Sequence, residues 1–288
     1  MGSFQDHSLT VPAQPEDTPL DRFLIGNLPL SKQRIRRAIH EGGVYINRKR
    51  CRHIGQMMHG GETVRIVMLD DEKLIPFSEA QLLWNSPPFY LIHKQSGQYA
   101  QEALHRSQGT LPDELTHYLK LSDKAAAGLR PVHRLDRDTS GLMLFCSEPG
   151  KLDQMQKLWH SHVSKSYLAV VDPAPEWDVR RITQPIGNRR DSRGCYHIDG
   201  AGRVCETEAE VIERHSGRAL IRLIPHTGRT HQLRIHLSYL GCPILGDRRY
   251  GGKNHARMML HAHRLHVRPP ALPQEMKWTA EPEENWQW

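Results

Sequence analysis

The sequence predicts an α+β protein in two parts: a large domain with a mixed, mainly antiparallel sheet, and a small basic α+β module ahead of it. Three observations carry this. Beyond Phe89, short apolar runs alternate with helical stretches at irregular spacing, and no strand-to-helix turn carries a dinucleotide glycine fingerprint. Residues 17–69 have helix starts, glycine stops and turn residues of their own. Those residues also hold ten Lys/Arg against four Asp/Glu, which is +6 of the chain's formal +7. At 288 residues the chain is long enough for one large core and one small one.

Residues 1–16, with Gly2, Pro12 and Pro15, read as a flexible tail. In 17–69, Leu20, Phe23 and Leu24 recur at helical spacing, with Asp17 or Thr18 as cap and Pro19 in the first turn. A second helix starts after Ser31 and stops at Gly42, with Ile35 and Ile39 inward and Lys32, Arg34, Arg36 and Arg37 outward. Val44–Ile46 reads as a strand, Asn47-Arg48 as a turn and Thr63–Met68 as a closing strand. A helix carrying four cations offers charge-assisted hydrogen bonds to phosphates, and a basic segment on a water-soluble chain points to an anionic polymer. The same helix could also serve as a protein-binding face. Residues 70–88, with Asp70-Asp71-Glu72, Pro76 and Pro87-Pro88, read as a linker.

Several classes are excluded. No apolar run reaches membrane-spanning length, and the N-terminus lacks a signal-peptide core. The cysteines, Cys51, Cys146, Cys195, Cys205 and Cys242, form no close pair, so they are expected as reduced thiols in a reducing, cytoplasmic setting. Cys146 fits a small core residue.

Residues 89–288 form the expected catalytic domain. Its strands are expected at Phe89–His93, Leu142–Cys146, Tyr167–Val171, Thr207–Ile212 and Leu220–Ile224. Its helices are expected at Leu111–Leu121, Lys151–His160 and Thr230–Leu240, the last capped by Thr230 and buried along Leu233, Leu237 and Leu240. The densest chemistry is His133-Arg134-Leu135-Asp136-Arg137-Asp138-Thr139-Ser140-Gly141. Asp-Thr-Ser-Gly is turn chemistry, and the apolar run behind it pins a charged loop to a buried strand, a favoured place for catalytic groups. Arg234 lies one residue round from the buried stripe, where an Arg needs a carboxylate.

This HRLDRDTSG run resembles the catalytic motif of the RluA-type pseudouridine synthases, which isomerise uridine in RNA. Two further stretches match in order: Lys165-Ser166-Tyr167-Leu168-Ala169-Val170-Val171, and His226-Thr227-Gly228-Arg229-Thr230-His231-Gln232-Leu233-Arg234-Ile235-His236, continuing into Leu240-Gly241-Cys242-Pro243-Ile244-Leu245-Gly246-Asp247. The resemblance implies the pseudouridine synthase fold, with a cleft across a central sheet. It implies Asp136 as the catalytic carboxylate, Arg234 as its partner and Tyr167 against the target uracil. It implies that Arg134 enters the space an extruded base leaves; an ion pair with Asp138 is its other reading. One departure is His93-Lys94-Gln95-Ser96-Gly97, which lacks the proline the family often has, so the local loop geometry is open. Separately, the DRFL, SKQRIRRAIHEGGVYIN and GGETVRIV stretches resemble an RNA-binding module of ribosomal protein S-four type.

Isomerisation oxidises and hydrolyses nothing, so no cofactor is expected. No metal is expected either, because His231 and His236 are five apart and share no helical face. The expected partner is RNA, ribosomal first and transfer RNA second, with no DNA or membrane and a monomeric chain. The rival readings are an inactive RNA-binding protein and a hydrolase that pairs Asp136 with Asp138.

Overall fold

The computed structural model describes residues 4–13, 18–69, 74–192, 194–283 and 286–288. The chain forms two compact units, one of residues 1–77 with 101–120, the other of 78–100 with 121–288.

In the first unit, β1 (Phe4–Thr10), α1 (Leu20–Asn27), α2 (Lys32–Glu41), β2 (Val44–Ile46), β3 (Lys49–Cys51) and β4 (Thr63–Leu69) precede α3 (Leu111–Tyr118). The sheet order is β1-β4-β2-β3. Leu20, Leu24, Ile35, Ile39, Val44 and Ile66 are fully buried in one cluster, which fixes the two helices against the sheet. Each such side chain contributes about 1.5–3 kcal/mol, more than a helix cap does. The Ser31 hydroxyl accepts the Arg34 N–H at 3.3 Å, and Gly42 closes α2 at φ 90°, a left-handed conformation that favours glycine. Asn47 and Arg48 both have positive φ and make the tight β2–β3 turn. Pro19, not Thr18, is the cap residue of α1, and it has no side-chain donor or acceptor to offer. Asp17 lies outside the described residues.

Two expectations about this part are corrected. Residues 4–10, expected in a loose tail, pair antiparallel with β4 from Phe4↔Leu69 to Thr10↔Thr63. This strand is held by main-chain bonds and by an Asp6–Arg65 ion pair at 2.6 Å, so it has no apolar alternation to read. Residues 101–120, expected inside the catalytic domain, belong to the first unit. Arg106, only 1% exposed, pairs there with Glu41 at 3.1 Å, and the Tyr45 hydroxyl donates to the Leu104 carbonyl at 2.8 Å.

The second unit holds β5 (Leu82–Ser86), β6 (Phe89–Lys94), α4 (Asp123–Gly128), β7 (Arg130–Pro131), β8 (Ser140–Cys146), α5 (Pro149–His162) and β9 (Val163–Val171). It continues through β10 (Val179–Ile182), β11 (Thr207–His215), β12 (Arg218–Pro225), α6 (Gln232–Tyr239), β13 (Leu260–Val267) and β14 (Met276–Thr279). The sheet runs β10-β11-β12-β9-β13-β8-β6-β5, with β14 on β13 and β7 on β8. The β13–β8 pairing is parallel and the other named pairings are antiparallel, so the sheet is mixed and mainly antiparallel as expected. Strand β5 comes from the expected linker, whose residues Asp70, Asp71 and Glu72 lie outside the described residues. Met155 and Trp159 of α5 cover Leu91, Leu142, Leu144, Leu265 and Val267 on one face of the sheet.

Gly141 lies where β8 runs beside β13. Its φ is 111°, and a β-carbon there would collide with the Ala262 backbone. Only glycine lets the charged loop join the sheet at this point. The five cysteines are free, and no described helix is long and apolar enough to cross a membrane.

Candidate active site

The charged loop between β7 and β8 is held from behind by Lys94, at the end of β6. Lys94 is fully buried, and its ammonium donates to the carbonyls of Arg137 and Thr139 at 2.6 Å and of Gln95 at 3.1 Å. Three acceptors match the three donors of the protonated amine. Burial pushes the Lys94 pKa down to about 7, against the opposing pull of Asp138 and Asp136. The Gly97 N–H donates to the Arg137 carbonyl at 2.8 Å, and the Ser96 hydroxyl to the Asp138 carbonyl at 2.7 Å. The chain without the family's proline thus has a loop tied by hydrogen bonds at the place where its geometry was open.

The loop presents Asp136 to Arg234 of α6. The Arg234 Nη1 donates to Asp136 Oδ2 at 2.7 Å. Its other edge grips fully buried Asp247 through Nε at 2.7 Å and Nη2 at 2.8 Å. Asp247 also accepts the N–H groups of Arg249 and Tyr250, at 3.1 and 3.2 Å, so its position is fixed from two sides. This bidentate grip orients the guanidinium and leaves one arm for Asp136. The two carboxylates overcome burial and hold Arg234 above its usual range.

Burial alone would raise the Asp136 pKa, but His231 and Arg234 beside it hold the carboxyl below its ordinary value. His231 Nε2 lies 3.7 Å from Asp136 Oδ2. Burial keeps that imidazole at about 4, so at neutral pH it is uncharged and Arg234 supplies the countercharge. His231 Nδ1 is 2.7 Å from the Tyr250 hydroxyl. His231 also has φ 58° and is the cap residue of α6; Thr230, the expected cap, is not.

Asp136, Arg134, Lys165, Tyr167, His231 and Arg234 line one cavity of about 320 Å³. That is the size of a small-ligand site. Tyr167, on β9, is 7% exposed; burial, then the charge of Asp136, push its hydroxyl up. Arg134 is exposed at the cavity, while Asp138 pairs with its neighbour Arg137 at 3.0 Å, in place of the alternative pair with Arg134. Asp138 is not among the lining residues, which removes the geometry a two-carboxylate hydrolase needs.

The basic-helix residues lie in the other unit. Lys32 is exposed; Arg36 bonds Asp21 at 2.7 Å and Arg37 bonds Glu41 at 2.9 Å; Arg34 is half-buried. His236 is buried on Thr207 and the Gln184 carbonyl, away from any metal role. Glu206, Glu208 and His226 bring ligand atoms within 4.8 Å of one another, but Glu206 also pairs with Arg181 at 2.7 Å.

Asp247, Lys94 and His231 were not assigned from sequence. Each lies inside a stretch that was singled out, LGxPILGD, HKQSG and TGRTHQLR, so the signal was present but not the pairing.

A half-buried carboxylate clamped by an arginine thus stands at a cavity of about 320 Å³ beside a mixed sheet. The family model described as RNA pseudouridylate synthase matches residues 82–239, and the chain belongs to that family. It is an RNA pseudouridine synthase, isomerising uridine to pseudouridine. It is 30% identical to the ribosomal large subunit pseudouridine synthase C of Escherichia coli K12, over 84% of this chain and 79% of that one. To the ribosomal large subunit pseudouridine synthase D of Neisseria meningitidis it is 29% identical, over 91% and 75%. The solved structure of human RNA pseudouridylate synthase domain containing 1 superposes with a TM-score of 0.59 at 24% identity, over 72% of this chain and 86% of that one, which bears on the fold.

Proposed function

We propose that Asp136 is the catalytic carboxylate, and that the enzyme acts on a uridine of large-subunit ribosomal RNA extruded into the cavity. The observation that carries the catalytic part is the Arg234–Asp136 bond at 2.7 Å, with Arg234 itself locked by Asp247. The reaction breaks the bond from C1′ to N1 of uracil and forms one from C1′ to C5; the hydrogen on C5 leaves and N1 gains one. Asp136 either attacks C1′ or assists elimination to a glycal, and both routes require it ionised. Arg234 supports that state.

The detached uracil must turn without escaping. Tyr167 offers a face for stacking and brings its hydroxyl to the cavity wall, where it takes part in the last proton transfer. The cavity's size supports extrusion of one base, at a cost of a few kcal/mol, with Arg134 filling the vacated stack. The names of the relatives support ribosomal RNA as substrate. The first unit, with Lys32, Arg34, Arg36 and Arg37 on one helix, acts as an RNA-binding module of S-four type. Five free thiols favour the reducing cytoplasm, where that RNA is found.

The test is quantification of pseudouridine after the purified protein is incubated with a large-subunit ribosomal RNA transcript. Asp136→Asn, close to isosteric, is expected to lower turnover at least ~10⁴-fold at an unchanged melting temperature. Near-normal turnover would remove Asp136 from the chemistry. Product on transfer RNA alone would move the substrate.

A further inference from the structure

Of the two cations of the cavity wall that the chemistry above does not use, Lys165 and Arg229, Arg229 is engaged with Cys205. Lys165 stands on β9 two residues before Tyr167, so the two side chains leave the same face of the strand about 7 Å apart. Both line the cavity. The Lys165 charge helps to depress the neighbouring His133, and a β-carbon on Gly228 would come within 4.0 Å of its Nζ. The residue is only partly exposed, and burial alone lowers its pKa to about 8. Among the described residues its side chain makes no hydrogen bond or ion pair.

The fully buried Lys94 is compensated, by three carbonyls. A desolvated ammonium without a partner is unfavourable, and the folded protein keeps one only where something else offsets it. An anionic group arriving from solution does so.

We propose that Lys165 binds a non-bridging phosphate oxygen of the nucleotide whose base stacks on Tyr167. This rests on the reading that the cavity receives an extruded uridine. The offset along β9 sets the ammonium to one side of a ring seated on Tyr167, within reach of that nucleotide's phosphate. A phosphate carries the formal charge that a desolvated ammonium needs, whereas the uracil carbonyls are neutral until the glycosidic bond breaks.

The test titrates uridine, uridine 3′-monophosphate, uridine 5′-monophosphate and adenosine 5′-monophosphate into the full chain and into Lys165→Met and Lys165→Arg. Wild type is expected to prefer one uridine monophosphate over uridine by roughly ten- to hundredfold, the weight of a charge-assisted bond. Lys165→Met should bind uridine as wild type does and lose that preference; Lys165→Arg should keep most of it. Unchanged uridine binding shows that the Met variant is folded. Equal binding of uridine and both its monophosphates in wild type, or a preference that survives in Lys165→Met, overturns the proposal. If adenosine 5′-monophosphate binds as well as the uridine nucleotides and Lys165→Met still abolishes the phosphate preference, the uridine reading falls and the phosphate contact stands. On RNA, Lys165→Met should raise KM at a steady kcat. A loss confined to kcat assigns Lys165 to the departing uracil instead and also overturns the proposal.

Discussion

Arg234 makes three bonds to two carboxylates, and its removal acts on both. Arg234→Gln keeps some polarity but leaves buried Asp247 without a countercharge. Breaking such a pair costs about 3–5 kcal/mol. The expected outcome is a clear drop in melting temperature together with near-complete loss of pseudouridine formation; an unchanged melting temperature would show that Asp247 finds another partner. Tyr167→Phe isolates the hydroxyl from the ring. Stacking survives, so KM should stay close to wild type, while turnover falls about 10²-fold or more if the hydroxyl carries the final proton. Steady-state kinetics decide this, and a wild-type kcat would leave Tyr167 only its face.

Loop, strand and helix meet at histidines that the fold keeps neutral. His133 stacks on Trp159 of α5 with ring centroids 4.7 Å apart, and its Nε2 accepts the Leu144 N–H of β8 at 3.1 Å. Burial, then the charge of Lys165, hold it at about 3. His261 of β13, bonded to the Ser140 hydroxyl and the Ala280 carbonyl, is held at about 3, chiefly by burial. Unfolded histidines titrate near ~6.5. With folded values below unfolded ones, the unfolded chain binds more protons between those limits, so stability is lost as pH falls through about 6.5 toward 3. Lys94 and Lys165, lowered to about 7 and 8, continue the rise in stability from there toward the lysine range near ~10.4. Melting temperature across pH 4 to 9 is therefore expected to climb throughout, and His133→Gln to flatten the acid limb. A maximum near pH 5 would contradict this account.

The two units set the terms for dissecting the whole chain. Removing residues 1–77 alone leaves 101–120 without its core, and buried Arg106 without Glu41. That truncation should melt well below the full chain, and also replacing 101–120 with a flexible linker should recover the second unit. The recovered unit should bind RNA more weakly and with a shallower salt dependence. The log–log slope should fall by roughly 0.7 to 0.9 for each phosphate that the shortened chain no longer neutralises. Affinity measured over a salt series checks it. Slopes identical to the full chain's would remove the basic helix from RNA binding.

Local chemistry is legible in the sequence. Ser31 and Gly42 bound α2, Asn47-Arg48 turns the hairpin, and Leu142–Cys146 lies in a buried strand, because caps, turns and apolar runs depend on adjacent residues. The stretches bearing Asp136, Tyr167 and Arg234 are legible for the same reason, since each is a compact motif. Strand β13 is not, because its alternation is filled by His261, His263 and His266, which composition scores as polar and the sheet buries or pairs. Strand β1 and the 101–120 segment escape a local reading because their partners lie about 60 residues away in the chain. The fold class, the family and the motifs that hold Asp136, Tyr167 and Arg234 are written in the sequence. Tertiary structure alone decided that Asp247 locks Arg234, that Lys94 ties down the loop bearing Asp136, and that Lys165 faces the cavity without a partner among the described residues. Pairings across 13 to 98 residues, such as Arg234 with Asp247 and with Asp136, have no local signature, and the burial and neighbouring charges that shift the pKa values exist only once the chain has closed around them.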